Sequence, residues 1–402
     1  MSREKETTAD VFDSADTIFS ENRKISPRQI RRAMTLELFG ASSLILPPFL
    51  AGESGILGLP AMAVGAAGAY ALVCLWDRLS ERHRSFGWSK TDGGGKQSAK
   101  EKRGVNGDFV RKLFFMLVAI GFLEIAAYVL YLLTAVLRDQ LLNSRYEAAI
   151  LITLTAAAVF GLWKGLEPRI RIYEVLFWLL MVPLAIGLII AAVRVHPVYW
   201  VHTAFSWKGF GRSCYVSFMF FSVSSLFLLF RPRCNPPGRA KQSVRTSLLL
   251  TLALDAAVYL ILLGIFQDKL LSQLEFPVIL LMAVIRLPGG FFERHDALMV
   301  GIWFFCLFAL LDSVLYYASG ALRSVCGQPE TEETGKGRTI AVSCACGAAV
   351  FAAAAVLLRS ETLAQVWAGM LLFVTGPAML AAAGLSFLPA GKQASKKIRR
   401  RV

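Results

Sequence analysis

Five acidic residues lie inside strongly apolar stretches of the sequence, where water cannot solvate a carboxylate. They are Glu37, Glu124, Glu174, Asp255 and Asp312. In membrane helices such residues are rare, usually face the interior of a helix bundle, and mark pathways for ions, protons or ligands. No Lys or Arg falls inside the same stretches, so we expect these carboxyls to lack a basic partner. The exception is Glu174, which is one helical turn from Arg171.

Glu37, Glu124 and Asp255 are candidates for proton or ion coupling. An unpaired carboxyl in a low-dielectric interior tends to hold a proton, which suits a proton carrier. A neutral carboxylic acid that donates a hydrogen bond to a neighbouring helix explains the same residues equally well. The sequence leaves both interpretations open.

Two short clusters of small and hydroxyl residues interrupt the apolar stretches. The first is residues 40–43, which precede two prolines, and the second is residues 222–225 in an aromatic run. Weak helix formers at mid-membrane predict a break whose free backbone groups line a cavity or bind a ligand. A kinked helix packed through small residues is the alternative for the first cluster. Serines bonded to preceding carbonyls are the alternative for the second.

The sequence carries no motif of a common enzyme class. It contains no P-loop, no GxSxG nucleophile elbow, no HExxH and no DDxxD acidic pair. Cys344 and Cys346 have no histidine or further cysteine nearby, so a metal site is not expected. We therefore predict no catalytic residue, no metal and no cofactor, and a protein that is not an enzyme.

Composition places most of the chain in lipid. Of 402 residues, 55% are hydrophobic and 18% are charged, whereas a soluble domain carries about 25% charge. Runs of about 20 apolar residues are long enough to cross a bilayer. Ten such spans are predicted, at residues 31–50, 56–76, 110–137, 146–163, 172–194, 213–230, 246–267, 296–322, 339–358 and 363–388.

The distribution of basic residues predicts the orientation of these spans. With the N-terminus inside, 34 of the 43 Lys and Arg residues fall in internal segments. Basic residues resist translocation, so we expect a multi-pass membrane protein with both termini in the cytoplasm. The net charge of +15 then reflects topology and indicates no nucleic-acid partner. The basic tail can attract anionic lipids at the cytoplasmic face.

Ten spans divide into two sets of five, which predicts an inverted repeat. Because five is odd, the second set enters the membrane upside down relative to the first. The predicted organisation, in chain order, is a cytoplasmic tail at 1–29, repeat 1 at 30–194 with a basic loop at 78–108, an external connection at 195–212, repeat 2 at 213–390 with a re-entrant or interfacial segment at 275–291, and a basic cytoplasmic tail at 391–402.

Several stretches resemble one family, the spore germination permeases, which are the B-type membrane subunits of germinant receptors. They are KISPRQ at 24–29, GASSLILP at 40–47, FP at 276–277 and IRLPGGFFERHDAL at 285–298, followed by Trp303. The resemblance implies membership of the amino acid, polyamine and organocation transporter superfamily. It also implies an all-α integral membrane fold, with ten helices in a LeuT-like five-plus-five inverted repeat.

The resemblance further implies a small nutrient germinant, typically an amino acid, bound between the first, third, sixth and eighth spans. The candidate substrate-binding residues are Gly40, Ala41, Ser42, Ser43, Tyr128, Ser222, Val223, Ser224, Ser225 and Asp312. Other receptor subunits would be partners in spore germination, and the chain would lie in the cell membrane or the spore inner membrane. A proton-coupled amino acid or amine permease that acts alone is the alternative, with Glu37 or Glu124 carrying the proton. A nutrient-gated ion channel is a third possibility.

Overall fold

The computed structural model describes residues 25–82, 105–140, 146–163, 166–200, 206–224, 239–284, 295–326 and 336–386. Twelve α-helices account for nearly all of these residues. In chain order they are α1 Pro27–Ser54, α2 Gly58–Arg82, α3 Val105–Gln140, α4 Glu147–Trp163, α5 Leu166–Ala192, α6 Trp207–Ser222, α7 Ala240–Leu271, α8 Pro277–Val284, α9 His295–Val325, α10 Lys336–Leu357, α11 Glu361–Met370 and α12 Gly376–Ser386.

Sequence signals fix where α1 begins. Ser26 accepts a hydrogen bond from the backbone N–H of Gln29, and the Gln29 side chain accepts one from the Ser26 N–H. This capping box satisfies two of the free donors at a helix start, and Pro27 follows at the position where proline is best tolerated. The KISPRQ stretch is therefore the start signal of the first membrane helix.

Seven apolar stretches in the described ranges are long enough to cross a membrane, judged by length and composition. One stretch combines α1 with α2, and α4 is a shorter apolar helix. The chain is thus a multi-pass membrane protein, while the count of ten spans stays a prediction. The segment predicted to be re-entrant begins with the 8-residue helix α8, and its remainder from residue 285 lies outside the described residues.

Helix α5 shows how the fold meets lipid. Its large exposed side chains follow helical spacing and form one stripe. They include Ile172, Val175, Leu179, Val182, Ile186 and Ile189. An apolar stripe of this kind is stable in hydrocarbon and would be costly in water.

Helices α1 and α9 lie at the centre of the bundle. The helix pairs with the most extensive contacts are α3 with α9, α1 with α7, and α2 with α6. Helix α1 also packs on α5, α6 and α9. We call the end of the bundle where α1 begins the N-side, and the end where α1 finishes at Ser54 the far side. Several of the polar sites described next lie on α1 or α9.

Candidate functional site

Helix α1 is continuous through residues 40–43, so the predicted break in the first span is wrong. The Ser42 hydroxyl donates to the Leu38 carbonyl at 2.8 Å, and the Ser43 hydroxyl donates to the Phe39 carbonyl at 2.6 Å. The serines thus bond within the helix instead of replacing its backbone bonds. Gly40 allows a close helix contact, because a Cβ added there would lie 2.6 Å from the Cβ of Cys306 on α9. The small-residue packing interpretation holds for this cluster.

The Trp303 side chain of α9 fills the space beside α1 in the mid-membrane region. Its indole N–H donates to the Ser43 hydroxyl at 3.0 Å, and the Trp303 side chain is fully buried. Ala41, Ser42 and Ser43 are buried as well. The predicted binding residues of α1 are therefore covered by protein in this conformation, and a ligand there would have to displace the indole.

The other predicted binding residues are spread along the bundle. Helix α6 ends at Ser222, and Ser222 and Ser224 donate hydrogen bonds to the Met219 and Phe221 carbonyls. The helix end agrees in position with the predicted break, and Ser225 lies outside the described residues. On α3, Tyr128 lies next to Tyr131, with ring centroids 5.8 Å apart, and interacts electrostatically with Glu275.

Asp312 has a basic partner, contrary to the sequence expectation. Arg169 of α5 forms an ion pair with its carboxylate, and both side chains are only 4% and 6% exposed. Tyr173 donates a hydrogen bond to the same carboxylate oxygen at 2.6 Å, and the Arg169 guanidinium lies 5.0 Å from the Tyr316 ring centroid. The prediction failed because α5 begins at Leu166 and not at 172, which brings Arg169 inside the bundle.

Glu37 of α1 belongs to the same cluster. It accepts a hydrogen bond from the Ser313 hydroxyl at 2.6 Å and interacts electrostatically with Arg169 and Asp312. Glu37, Arg169, Tyr173 and Ser313 line a cavity of about 10 Å³, at the lower limit for one water molecule. Both terminal guanidinium nitrogens of Arg169 are buried without a hydrogen-bond partner among the described residues.

The charge count of this cluster is unbalanced. One guanidinium faces two carboxyl groups, on α1 and α9, inside a low-dielectric region. Uncompensated charge there is expensive, so a proton on one of the two acids, or a cation beside them, would stabilise the cluster.

A second polar contact holds the N-side of α1. Glu174 of α5 forms an ion pair with Arg32 and accepts a hydrogen bond from the Gln29 side chain at 3.1 Å. The Arg32 guanidinium also lies 5.3 Å from the Trp178 ring centroid. Together with the Glu37 cluster, this contact fastens the first half of α1 to α5 and α9.

Asp255 is the most isolated of the predicted acids. It is 3% exposed, and neither of its carboxyl oxygens has a hydrogen-bond partner among the described residues. The hydroxyl of Thr251, one turn earlier on α7, has no such partner either, and Ser42 of α1 is a polar neighbour. Glu124 on α3 similarly has one buried carboxyl oxygen without a described partner. These two residues keep their status as candidates for coupling.

The far side contains a polar pocket of about 530 Å³. Its walls are the end of α1, the turn Gly55–Leu57, the start of α6 and the end of α7. Glu53 of α1 pairs with Arg212 of α6 at 2.7 Å, and the hydroxyls of Ser54 and Ser213 are 2.9 Å apart. This volume is in the usual range of small-molecule sites.

Sequence reasoning missed Arg169, Trp303 and the Glu53–Arg212 pair as functional candidates. A signal for the first was present, because Pro168 marks a helix start and would have extended the fifth span to include Arg169. The other two depend on contacts between residues more than 150 positions apart, for which one sequence carries no signal.

The helix arrangement is that of an all-α membrane transporter with a LeuT-like fold. The chain is similar to the solved structure of the substrate-bound, outward-open state of a Na⁺-coupled sialic acid symporter. The TM-score is 0.60 at 14% identity, and the match covers 93% of this chain and 81% of that chain. At this identity the likeness establishes the fold alone.

A family model described as spore germination protein matches residues 24–345. The chain therefore belongs to the spore germination permease family. A search of curated proteins finds no match to the sequence. The family and the fold together define a permease-like membrane protein.

Proposed function

We propose that the chain is the membrane subunit of a spore germinant receptor, and that it binds a small nutrient germinant, an amino acid, within its transporter-like core. The family supports the link to germination, and the fold supports a small-molecule ligand. Partner subunits would carry the signal onward. In this proposal both termini are cytoplasmic, so the far side faces outward.

One observation carries this proposal: a large pocket adjoins the far end of α1, whereas its N-side half is buried against other helices. On the N-side, α1 is held to α5 and α9 by the contacts of Arg32 and Glu37. On the far side, α1 ends at the wall of the 530 Å³ pocket. A protein closed at one end and accessible at the other can admit a ligand from one side of the membrane.

The proposed binding region lies between these ends, around residues 40–43, Tyr128, the end of α6 and Trp303. Since α1 is an unbroken helix there, its backbone groups are already hydrogen-bonded. Binding would therefore use side chains exposed when the Trp303 indole leaves Ser43. In this proposal the Trp303 side chain blocks the site until its indole moves away from Ser43.

The Glu37 cluster favours a second candidate function, a proton-coupled amino acid or amine permease. One guanidinium between two carboxyls needs a compensating proton, and α1 carries one of these carboxyls. Release of that proton to the other side of the membrane would couple α1 movement to a proton gradient.

Uptake into proteoliposomes separates the two functions. The purified chain is reconstituted, a proton gradient is imposed, and accumulation of radiolabelled amino acids is followed with and without an uncoupler. A receptor subunit binds without accumulating its ligand above the outside concentration. Uncoupler-sensitive accumulation that Glu37→Gln abolishes would contradict the receptor proposal and establish the carrier.

A further inference from the structure

We propose that the far-side pocket is itself a binding site for a zwitterionic amino acid, separate from the mid-membrane region, and that the ligand carboxylate competes with Glu53 for Arg212. This inference rests on the proposed function, because it names where the nutrient first binds.

The pocket presents charges of both signs around one space. Lys208, Arg212 and Lys269 are its basic residues, and Glu53 and Asp268 are its acidic residues. Among the described residues, the ammonium groups of Lys208 and Lys269 have no carboxylate within ion-pair distance. A ligand carboxylate can therefore pair with Lys208 and Lys269, which no described carboxylate engages, and its ammonium group can pair with Asp268 in the same lining. Such a pattern matches an amino acid better than a simple anion or cation.

Arg212 is placed for an exchange of partners. Its side chain is 56% exposed, whereas the Glu53 side chain is 26% exposed, so the guanidinium is accessible from the pocket while still paired. Arginine binds a carboxylate with two parallel hydrogen bonds, and a ligand carboxylate can offer the same geometry as Glu53. The ion pair at this degree of exposure is weak enough to be displaced.

The same exchange would affect the junction between α1 and α6. Gly209 of α6 packs directly on the Glu53 carbonyl, where an added Cβ would collide with the carbonyl oxygen. The Glu53–Arg212 pair and the Ser54–Ser213 contact join the same two helix ends. Replacing Glu53 by a ligand removes the only ion pair that this junction shows among the described residues. Ligand binding would thus loosen the far end of α1.

The backbone around the pocket is unusual. Gln267, directly before Asp268, has φ 61° and ψ 165°, and it is the one non-glycine residue with positive φ in the described ranges. Gly55 in the pocket wall also has positive φ, and the Tyr259 hydroxyl fixes its carbonyl at 2.6 Å. Strained backbone of this kind is held in place by its surroundings and is concentrated at ligand sites. It places Asp268 and Lys269 at the pocket rim.

Thermal unfolding of the purified chain in detergent tests this inference. The twenty protein amino acids are titrated, and for each one that raises Tm the corresponding amine and carboxylic acid are compared. Stabilisation follows the free-energy relation between ligand concentration and Kd. The full amino acid is expected to stabilise the chain, and the two analogues that lack one charge are expected to bind at least tenfold more weakly.

Variants test whether the amino acid binds in the far-side pocket or in the mid-membrane region. Lys208→Ala with Lys269→Ala should raise Kd at least tenfold. Glu53→Gln should lower Kd several-fold, because Arg212 loses its competing partner, and a merely structural role of Glu53 predicts the opposite. Arg359→Gln removes an exposed far-side cation outside the pocket and should leave Kd unchanged.

The outcomes distinguish this inference from the proposed function. If an amino acid stabilises the wild-type chain but all pocket variants retain its Kd, the pocket site is refuted and the core site stands. If no amino acid stabilises the wild-type chain, the inference and the proposed function fail together. Weaker binding in Glu53→Gln would refute the competition for Arg212.

Discussion

Arg169 on α5 and Asp312 on α9 form an ion pair in the buried interior of the bundle, with Glu37 of α1 beside them. Breaking a buried pair by removing one partner usually costs about 3–5 kcal/mol, because a charge is left uncompensated. Here a second carboxyl lines the same small cavity as Arg169. The cluster can therefore reorganise where an isolated pair could not.

This arrangement predicts that Glu37 and Asp312 can replace each other as partners of Arg169. Asp312→Asn alone should destabilise the chain by less than about 3 kcal/mol, because Glu37 can take over as the partner of Arg169. Glu37→Gln alone should destabilise it by about 1 kcal/mol, because the glutamine side chain still offers Ser313 an acceptor. The double variant should exceed the sum by about 1–3 kcal/mol. Denaturant unfolding of the three variants measures this coupling, and strictly additive effects would show that Glu37 does not reach Arg169.

The contact of Gly40 with α9 predicts a substitution that is damaging for steric reasons. Gly40→Ala places a Cβ 2.6 Å from the Cys306 Cβ and should destabilise the chain by about 1–3 kcal/mol. Cys306→Gly in the same chain should restore part of the loss, because it removes the nearest opposing atom and leaves the Cys306 carbonyl carbon at 3.0 Å. Gly301→Ala is the matched control, since its Cβ would meet nothing within 4 Å. Equal stability of Gly40→Ala and the control would contradict the packing described here.

Asp255 predicts a stabilising substitution. Its two carboxyl oxygens are buried without a described partner, which costs about 1–3 kcal/mol for an unsatisfied polar group. Asp255→Leu removes that penalty while keeping the same number of side-chain heavy atoms, so the unfolding midpoint should rise. A lower midpoint would mean that the carboxyl has a favourable partner, such as a bound cation, and sodium titration of the wild-type chain would then reveal it.

Glu275, in the loop between α7 and α8, predicts a pH dependence. Partial burial raises the pKa of its carboxyl, and the nearby Asp139 and Glu361 raise it further, against an opposing effect of Arg138. An acid whose folded-state pKa is raised binds protons more tightly when folded, so its ionisation destabilises the fold as pH rises. Glu275→Gln should therefore be more stable than wild type at pH 7.5, and the difference should shrink towards pH 5. A difference that grows on acidification would reverse the sign of this shift.

The all-α membrane fold could be predicted from the sequence because membrane helices obey strong local rules. The capping box at Ser26 and Gln29 fixes the start of α1, and apolar length identifies the remaining segments. The family resemblance at residues 24–47 and 276–298 was confirmed by the family match over residues 24–345. These features are visible in single segments of the chain.

What the sequence left undecided depends on contacts between distant segments. Gly40 favours a break or a tight contact equally until Cys306 is seen opposite it. Asp312 was expected to be unpaired because the start of α5 was placed six residues late, which left Arg169 outside the predicted helix. Local propensity therefore could not distinguish a ligand site from a packing site in this fold.

Equilibrium binding of radiolabelled amino acids to the purified chain in lipid nanodiscs tests whether the chain is a nutrient-binding subunit. Saturable binding of at least one amino acid is expected, at no more than a few molecules per chain, with competition by the unlabelled compound. Absence of saturable binding for all twenty amino acids, by a chain that is folded by its cooperative thermal transition, would contradict this role.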